Sequence, residues 1–373
     1  MSNFNYQTGT GERCRNQAVT NNLPEPVNLV AYRDNPPELP AELIEGILRC
    51  GHKMLISGSS KAGKSFLLME LCIALAEGRK WLGFQCRKGK VMYVNLEIDP
   101  ASCIHRFMGI YSALGIPHDN AKDIVIWNLR GHTIPLDQMV PDIISQVKGR
   151  GFSAVVIDPI YKVLTGDENS ATDMGAFCNQ FDKICDETGC AAIYCHHHSK
   201  GAQGAKKAMD RASGSGVFAR DPDAQLDLIA LTMTDDVKNN PANEGATAWR
   251  MESNLREFKN IKPVDMWFRY PLHKVDETGE LRGLYAEGNP LGNLSKSSKR
   301  TSVTTRRSGL DSAFNVCAED GVAEISKMAD YLGISKKSIA RYADEFSDTY
   351  KRHNGMVYKV EGGKNAASEN GKT

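Results

Sequence analysis

The chain has 373 residues, 41% of them hydrophobic and 24% charged, a composition that can bury a sizeable core plus a smaller module and excludes wholesale disorder. No apolar run approaches the ~18 residues needed to cross a bilayer, the first 22 residues hold no apolar segment ahead of a cleavage site, and the ten cysteines form no Cys-x-x-Cys pair. The chain therefore reads as a cytoplasmic protein with reduced thiols and no membrane contact, and with 46 Lys and Arg against 45 Asp and Glu any hold on nucleic acid must come from local patches.

Residues 1–40 are rich in Asn, Pro and Thr, with Pro24, Pro26, Pro36, Pro37 and Pro40 breaking any regular pattern, and read as a flexible or wrapped arm. Residues 42–49 read as a short helix, 53–57 as a buried strand and 64–77 as an apolar helix, with a glycine turn between the last two. Further apolar runs at 91–96, 124–129, 154–157, 191–195 and 226–231 are mostly spaced by segments long enough for helices. That alternation predicts an α/β domain over residues 41–290 with a largely parallel sheet. Residues 247–252 and 264–270 alternate more strongly and suit strands added at its edge. Residues 291–309 carry Lys296, Lys299, Arg300, Arg306 and Arg307 without an acid and read as a basic linker. Beyond it, residues 310–361 show helical patterns at 310–318, 324–332 and 336–346, then two strand-like pieces about His353, Asn354 and Gly355. The small, polar tail 362–373 reads as disordered.

Gly58-Ser59-Ser60-Lys61-Ala62-Gly63-Lys64-Ser65 matches G-x-x-x-x-G-K-[ST] in full, and it falls between a predicted strand and a predicted helix, as that phosphate-binding loop requires. Successive backbone N–H groups of such a loop curl round the β- and γ-phosphates of ATP, and the start of the following helix, with Phe66 in its first turn, adds its positive end. Lys64 is expected on the β/γ oxygens and Ser65 on Mg²⁺. Asp158 ends the run 154–157 and would project from the carboxyl edge of a buried strand to hold Mg²⁺ through its water shell. Glu97 follows the run 91–96 and is placed to orient and deprotonate the attacking water. His196, His197 and His198 follow the run 191–195; adjacent residues on an extended chain alternate faces and do not converge on one metal, so a sensor of γ-phosphate or DNA, or a strand-end hydrogen bond, are the open readings. The stretch 199–216 is rich in Gly, Ala and Ser and carries Lys200, Lys206, Lys207 and Arg211, which suits a phosphate backbone or a solvated loop.

In the order phosphate loop, Glu97, Asp158 and His-His-x-Ser-Lys-Gly from His196 to Gly201, the chain resembles the RecA-like ATPases, and among them the RepA-type hexameric replicative helicases of plasmids, phages and mobile elements. The resemblance covers about residues 42–272. It implies a ring with ATP sites between subunits and single-stranded DNA in a central channel. Position by position it implies Lys64 and Ser65 on phosphate and Mg²⁺, Glu97 as catalytic base, Asp158 as metal-side acid, and His197, with His198 beside it, as sensor. Its trans-acting arginine is not fixed, since the residues around Asp221 and Asp223 depart from the family pattern; Arg211, Arg220 and Arg256 remain candidates.

The last module lies outside that resemblance. Residues 324–342 resemble a helix-turn-helix of a winged domain, whose second helix would present Lys336, Lys337, Ser338 and Arg341 to duplex DNA; a three-helix protein-docking module shares the pattern, and Asp344 and Glu345 weaken the positive face. The leading expectation is an ATP-driven motor on single-stranded DNA. A regulatory or recombination-type ATPase without unwinding is the alternative from the same fold. A DNA-binding protein with nucleotide-controlled assembly is a third, disfavoured by Glu97.

Overall fold

The computed structural model describes residues 26–198, 220–287, 303–332 and 334–360. Lys200, Lys206, Lys207 and Arg211, the linker up to residue 302 and the tail from residue 361 lie outside the described residues. The described residues 26–39 belong to a unit of their own. Its described part holds one 3₁₀ turn, Leu29–Tyr32, whose N-cap Asn28 accepts the Val30 N–H at 3.0 Å.

From residue 40 onward the chain opens with a hairpin, β1 (Glu42–Ile44) paired with β2 (Leu48–Arg49), where the sequence pattern predicts a helix. Leu43, Ile44, Ile47 and Leu48 are all buried, and their spacing imitates one helical face. Gly46 decides against it: its φ of 65° turns the chain back, a conformation that glycine adopts without strain, and the Glu42 carboxylate accepts its N–H at 2.9 Å.

β3 (Lys53–Gly58) then leads through the glycine loop into α1 (Lys64–Glu77). Twelve of the fourteen residues of α1 are buried, as expected of a helix that is apolar all round. After the short pair β4 (Lys80–Trp81) and β5 (Phe84–Gln85) come β6 (Lys90–Asn95), α2 (Pro100–Leu114), β7 (Ile124–Asn128), α3 (Leu136–Val147), β8 (Phe152–Asp158), α4 (Ala171–Thr188), β9 (Ala191–His197) and β10 (Ala224–Thr232). A five-residue helix α5 (Asp235–Asn239) precedes β11 (Thr247–Leu255), β12 (Val264–Arg269), β13 (Leu272–Val275) and β14 (Tyr285–Ala286).

These strands form one sheet in the order β13-β12-β11-β10-β3-β9-β8-β6-β7, with β14 beside β10. The six from β10 to β7 are parallel, and β11, β12 and β13 extend it antiparallel at one edge, as the alternating runs suggested. Alternate residues of each strand feed two cores. Met54, Ile56, Tyr93 and Ile193 pack with α1 and α2 on one face, while Leu55, Val94, Ile157 and Tyr194 pack with α3 and α4 on the other. β3 and β6 are consecutive in the winding but separated by β9 and β8, so the carboxyl ends of β3, β9, β8 and β6 open onto one crevice.

The C-terminal module has its own core, including Leu310, Phe314, Met328, Ile339, Tyr350 and Val357. Its elements are α6 (Val303–Cys317), β15 (Ala318–Glu319), β16 (Val322–Glu324), α7 (Ile325–Leu332), α8 (Lys336–Glu345), β17 (Tyr350–His353) and β18 (Met356–Lys359). The sheet runs β15-β16-β18-β17, and the turn at Asn354 and Gly355 joins its last two strands. The expected linker is thereby shortened: α6 begins at Val303, and Arg306 and Arg307 are not free linker cations but pair with Glu345 and Asp348.

Among the described residues no helix is long and apolar enough to cross a membrane. Nine cysteines are described, all free thiols and seven of them buried.

Candidate active site

The loop between β3 and α1 is shaped by its last glycine. Gly63 has φ 69° and caps α1 without a side-chain bond, and a Cβ there would stand 3.0 Å from the His273 ring. Lys64 at the helix start is 6% exposed. Its ammonium donates to the carbonyls of Gly58 (2.9 Å) and Ser59 (2.8 Å) and lies 3.2 Å from His197 Nδ1. Burial lowers its pKa, against the opposing pull of the Asp158 and Glu97 carboxylates. Because an ammonium only donates, Nδ1 of His197 accepts. Burial and the Lys64 charge lower the His197 pKa, so the ring is neutral near pH 7 and its proton sits on Nε2, available as a donor.

A cleft of about 800 Å³ opens here. Ser60, Lys61, Gly63, Lys64, Ser65, Phe66, Glu97, Asp158 and His197 all line it, so the sequence-predicted constellation converges. Gly58, Ser59 and Ala62 form the loop's frame and are not among the lining residues; Ala62 is fully buried.

Asp158, the last residue of β8, is 2% exposed. Its two oxygens each receive a donor from a neighbouring strand: the Tyr93 hydroxyl on Oδ2 and the Cys195 thiol, at 2.9 Å, on Oδ1. Burial first, and then the Asp158 charge, push both donors well above their usual pKa, so they stay protonated and the carboxylate is held in one orientation. Glu97, on the turn after β6, is exposed. Tyr161 hydrogen-bonds to it and is pushed up to about 12 by burial and by that bond; its ring lies 5.5 Å from His197.

One expected position needs correction. His198 does not reach the cleft: strand alternation turns it to the other face of the sheet, where its side chain is 3% exposed with Nε2 3.6 Å from Asp227 Oδ1. Arg256 is tethered within its own chain at the opposite edge of the sheet, where β10 begins. It donates to Asp223 (3.0 Å) and to the carbonyls of Arg220 (2.8 Å) and Asp221 (3.1 Å). Arg220 is exposed at that same edge. Neither arginine enters the cleft of its own chain.

Sequence reasoning missed Arg106, Arg130 and Phe268, which also line the cleft, and Tyr93, Cys195 and Tyr161, which hold its acids. Arg106 lies over the Phe66 ring at 4.9 Å, and Phe268 and Tyr270 flank that ring at 5.6 and 5.2 Å, giving the cleft an aromatic lip. None of these stands in a motif; strand pairing brings in Tyr93, Cys195 and Phe268, while Arg106 comes from α2 and Tyr161 from the 3₁₀ turn after β8.

On α8, Lys336, Lys337 and Arg341 are exposed. The acids expected to weaken this face are matched by arginines, Asp344 by Arg352 at 2.6 Å and Glu345 by Arg306, so its cations are less opposed than composition suggests.

A solved structure of the ATPase domain of G40P is similar to this chain at 13% identity and a TM-score of 0.42, covering 59% of this chain and 82% of that one. Residues 21–203 match the family model described as an AAA domain. The matched stretch contains the phosphate loop, Glu97, Asp158 and His197, and the chain thus carries an ATPase domain of the P-loop type.

Proposed function

We propose that this protein is an ATP-hydrolysing motor that acts on single-stranded DNA as a homo-oligomer, a hexameric ring of the RepA type. The observation that carries the ATPase part is the convergence of Lys64, Ser65, Glu97, Asp158 and His197 on one cleft. The donor set fits Mg²⁺: a hydroxyl from Ser65 and an oriented carboxylate from Asp158 share the cleft wall, and Mg²⁺ takes few protein ligands beside phosphate oxygens. Bound there, it would neutralise charge on the β- and γ-phosphates. Lys64 and the loop N–H groups hold those phosphates, Glu97 orients the attacking water and takes its proton, and the Nε2–H of His197 reports the γ-phosphate.

The exposed position of Arg220, away from its own cleft, supports a role across a subunit interface, with Arg256 holding its backbone in place. Lys200, Lys206, Lys207 and Arg211 contact the single strand in this reading, and Lys336, Lys337 and Arg341 contact duplex DNA from α8 as the recognition helix of a winged helix-turn-helix. ATP hydrolysis measured with and without single-stranded DNA, beside a strand-displacement assay, tests the proposal. Stimulated hydrolysis with displacement is expected. Stimulation without displacement favours a regulatory or recombination-type ATPase, and no hydrolysis under either condition removes the motor.

A further inference from the structure

Glu70 and His273 are buried ionisable groups beside the phosphate loop that the mechanism above leaves unused. Glu70 lies in α1 and His273 in β13, and both are less than a tenth exposed. The His273 backbone N–H donates to both carboxylate oxygens of Glu70, at 3.1 and 3.2 Å, and the ring Nδ1 lies 2.7 Å from Oε1. The other ring nitrogen, Nε2, is 3.3 Å from the carbonyl oxygen of Ala62. A carbonyl only accepts, so a hydrogen bond here puts a hydrogen on Nε2; Nδ1 then either donates to the Glu70 carboxylate from an imidazolium or accepts from a protonated Glu70, whose pKa burial raises. Phe268 backs the ring at 4.5 Å between centroids, and on the loop side a Cβ built on Gly63 would stand 3.0 Å from its Cε1. The imidazole is wedged under the loop with no space to move away.

Peptide geometry gives this contact a consequence. The Ala62 carbonyl and the Gly63 N–H belong to one planar trans unit and point in opposite directions. A donor that holds the carbonyl toward the interior therefore aims the Gly63 N–H outward, into the cleft that Gly63 lines. We propose that His273 is a positioning residue for phosphate binding: anchored by Glu70, it fixes the Ala62 to Gly63 peptide so that the Gly63 N–H faces the β-phosphate oxygens of a nucleoside di- or triphosphate. A peptide free to rotate would also present its carbonyl, which repels phosphate. The inference rests on the nucleotide-binding reading above and adds to it a residue more than 200 positions from the motif.

Full-length wild type, Lys64→Ala, His273→Phe and His273→Gln are titrated with ADP by calorimetry and melted without nucleotide. His273→Phe keeps the packing against Phe268 and lacks the donor; it melts within about 5 °C of wild type and binds ADP about tenfold more weakly. His273→Gln offers an amide N–H to the same carbonyl and recovers binding to within about threefold of wild type. Wild-type ADP binding by His273→Phe, or equal loss in both variants, overturns the proposal. No binding by wild type, or undiminished binding by Lys64→Ala, overturns the nucleotide-site reading instead. If His273→Phe does not fold, the ¹⁵N-histidine spectrum of wild type decides, its His273 signals identified by their loss in His273→Gln: a proton-bearing Nε2 is expected, and a bare Nε2 overturns the proposal.

Discussion

Asp158 holds its orientation through two neutral donors supplied by neighbouring strands, Tyr93 from β6 and Cys195 from β9. A buried carboxylate oxygen that loses such a donor costs about 1–3 kcal/mol. Tyr93→Phe should therefore lower stability by about that much and raise the Mg²⁺ concentration that half-saturates hydrolysis; a magnesium titration beside a denaturant melt checks both, and an unchanged titration would detach Tyr93 from the metal side. Lys64→Ala should reduce ATP turnover at least about 100-fold, because the phosphates lose their counter-ion; near-wild-type turnover would refute the phosphate-loop assignment. Lys64, Ser65, Glu97 and Asp158 were legible in the sequence because a motif or the end of an apolar run marks each of them. Tyr93 and Cys195 lie inside apolar runs and look like core. Only the register, with Tyr93 opposite Val156 and Asn95 opposite Asp158, turns their polar atoms onto the acid, and a single sequence does not display pairing.

Among the elements, the parallel strands were readable as apolar runs set between polar segments, and α1 as a long apolar run between Gly63 and Gly78. α1 carries much of the core that seats the loop: Leu71 is fully buried, so Leu71→Ala should cost about 2–5 kcal/mol. Met108 on α2, 43% exposed, should change stability by no more than about 0.5 kcal/mol when replaced by Ala. Chemical denaturation of the two variants side by side measures the contrast, and equal losses would mean that the packing of α1 is misplaced. The hairpin of β1 and β2 was misread because two short strands with a glycine turn can bury the same four apolar residues that one helix would. The start of α6 was misread for another reason. Its first turns are polar and basic, and the carboxylates that neutralise Arg306 and Arg307 come from residues 345 and 348, a non-local pairing that composition hides.

For the molecule as a whole, the proposed function requires one nucleotide cleft, two DNA-contacting surfaces and a neighbouring subunit. If Arg220 completes the adjacent site, Arg220→Ala subunits mixed with wild type should depress hydrolysis out of proportion to their fraction; linear dilution would argue for a self-contained site. Replacing Lys336 and Lys337 together by Ala should weaken duplex binding and flatten its salt dependence by about one unit per lost contact, while leaving stimulation by single-stranded DNA intact. Hydrolysis of ATP in this cleft with Glu97 as the base makes Glu97→Gln the decisive variant, because the amide keeps the shape of the side chain and loses its basicity. ATP affinity and turnover are measured on the same full-length protein. ATP affinity within about threefold of wild type and turnover reduced at least about 100-fold are expected; near-normal turnover in that variant would place the base at another residue.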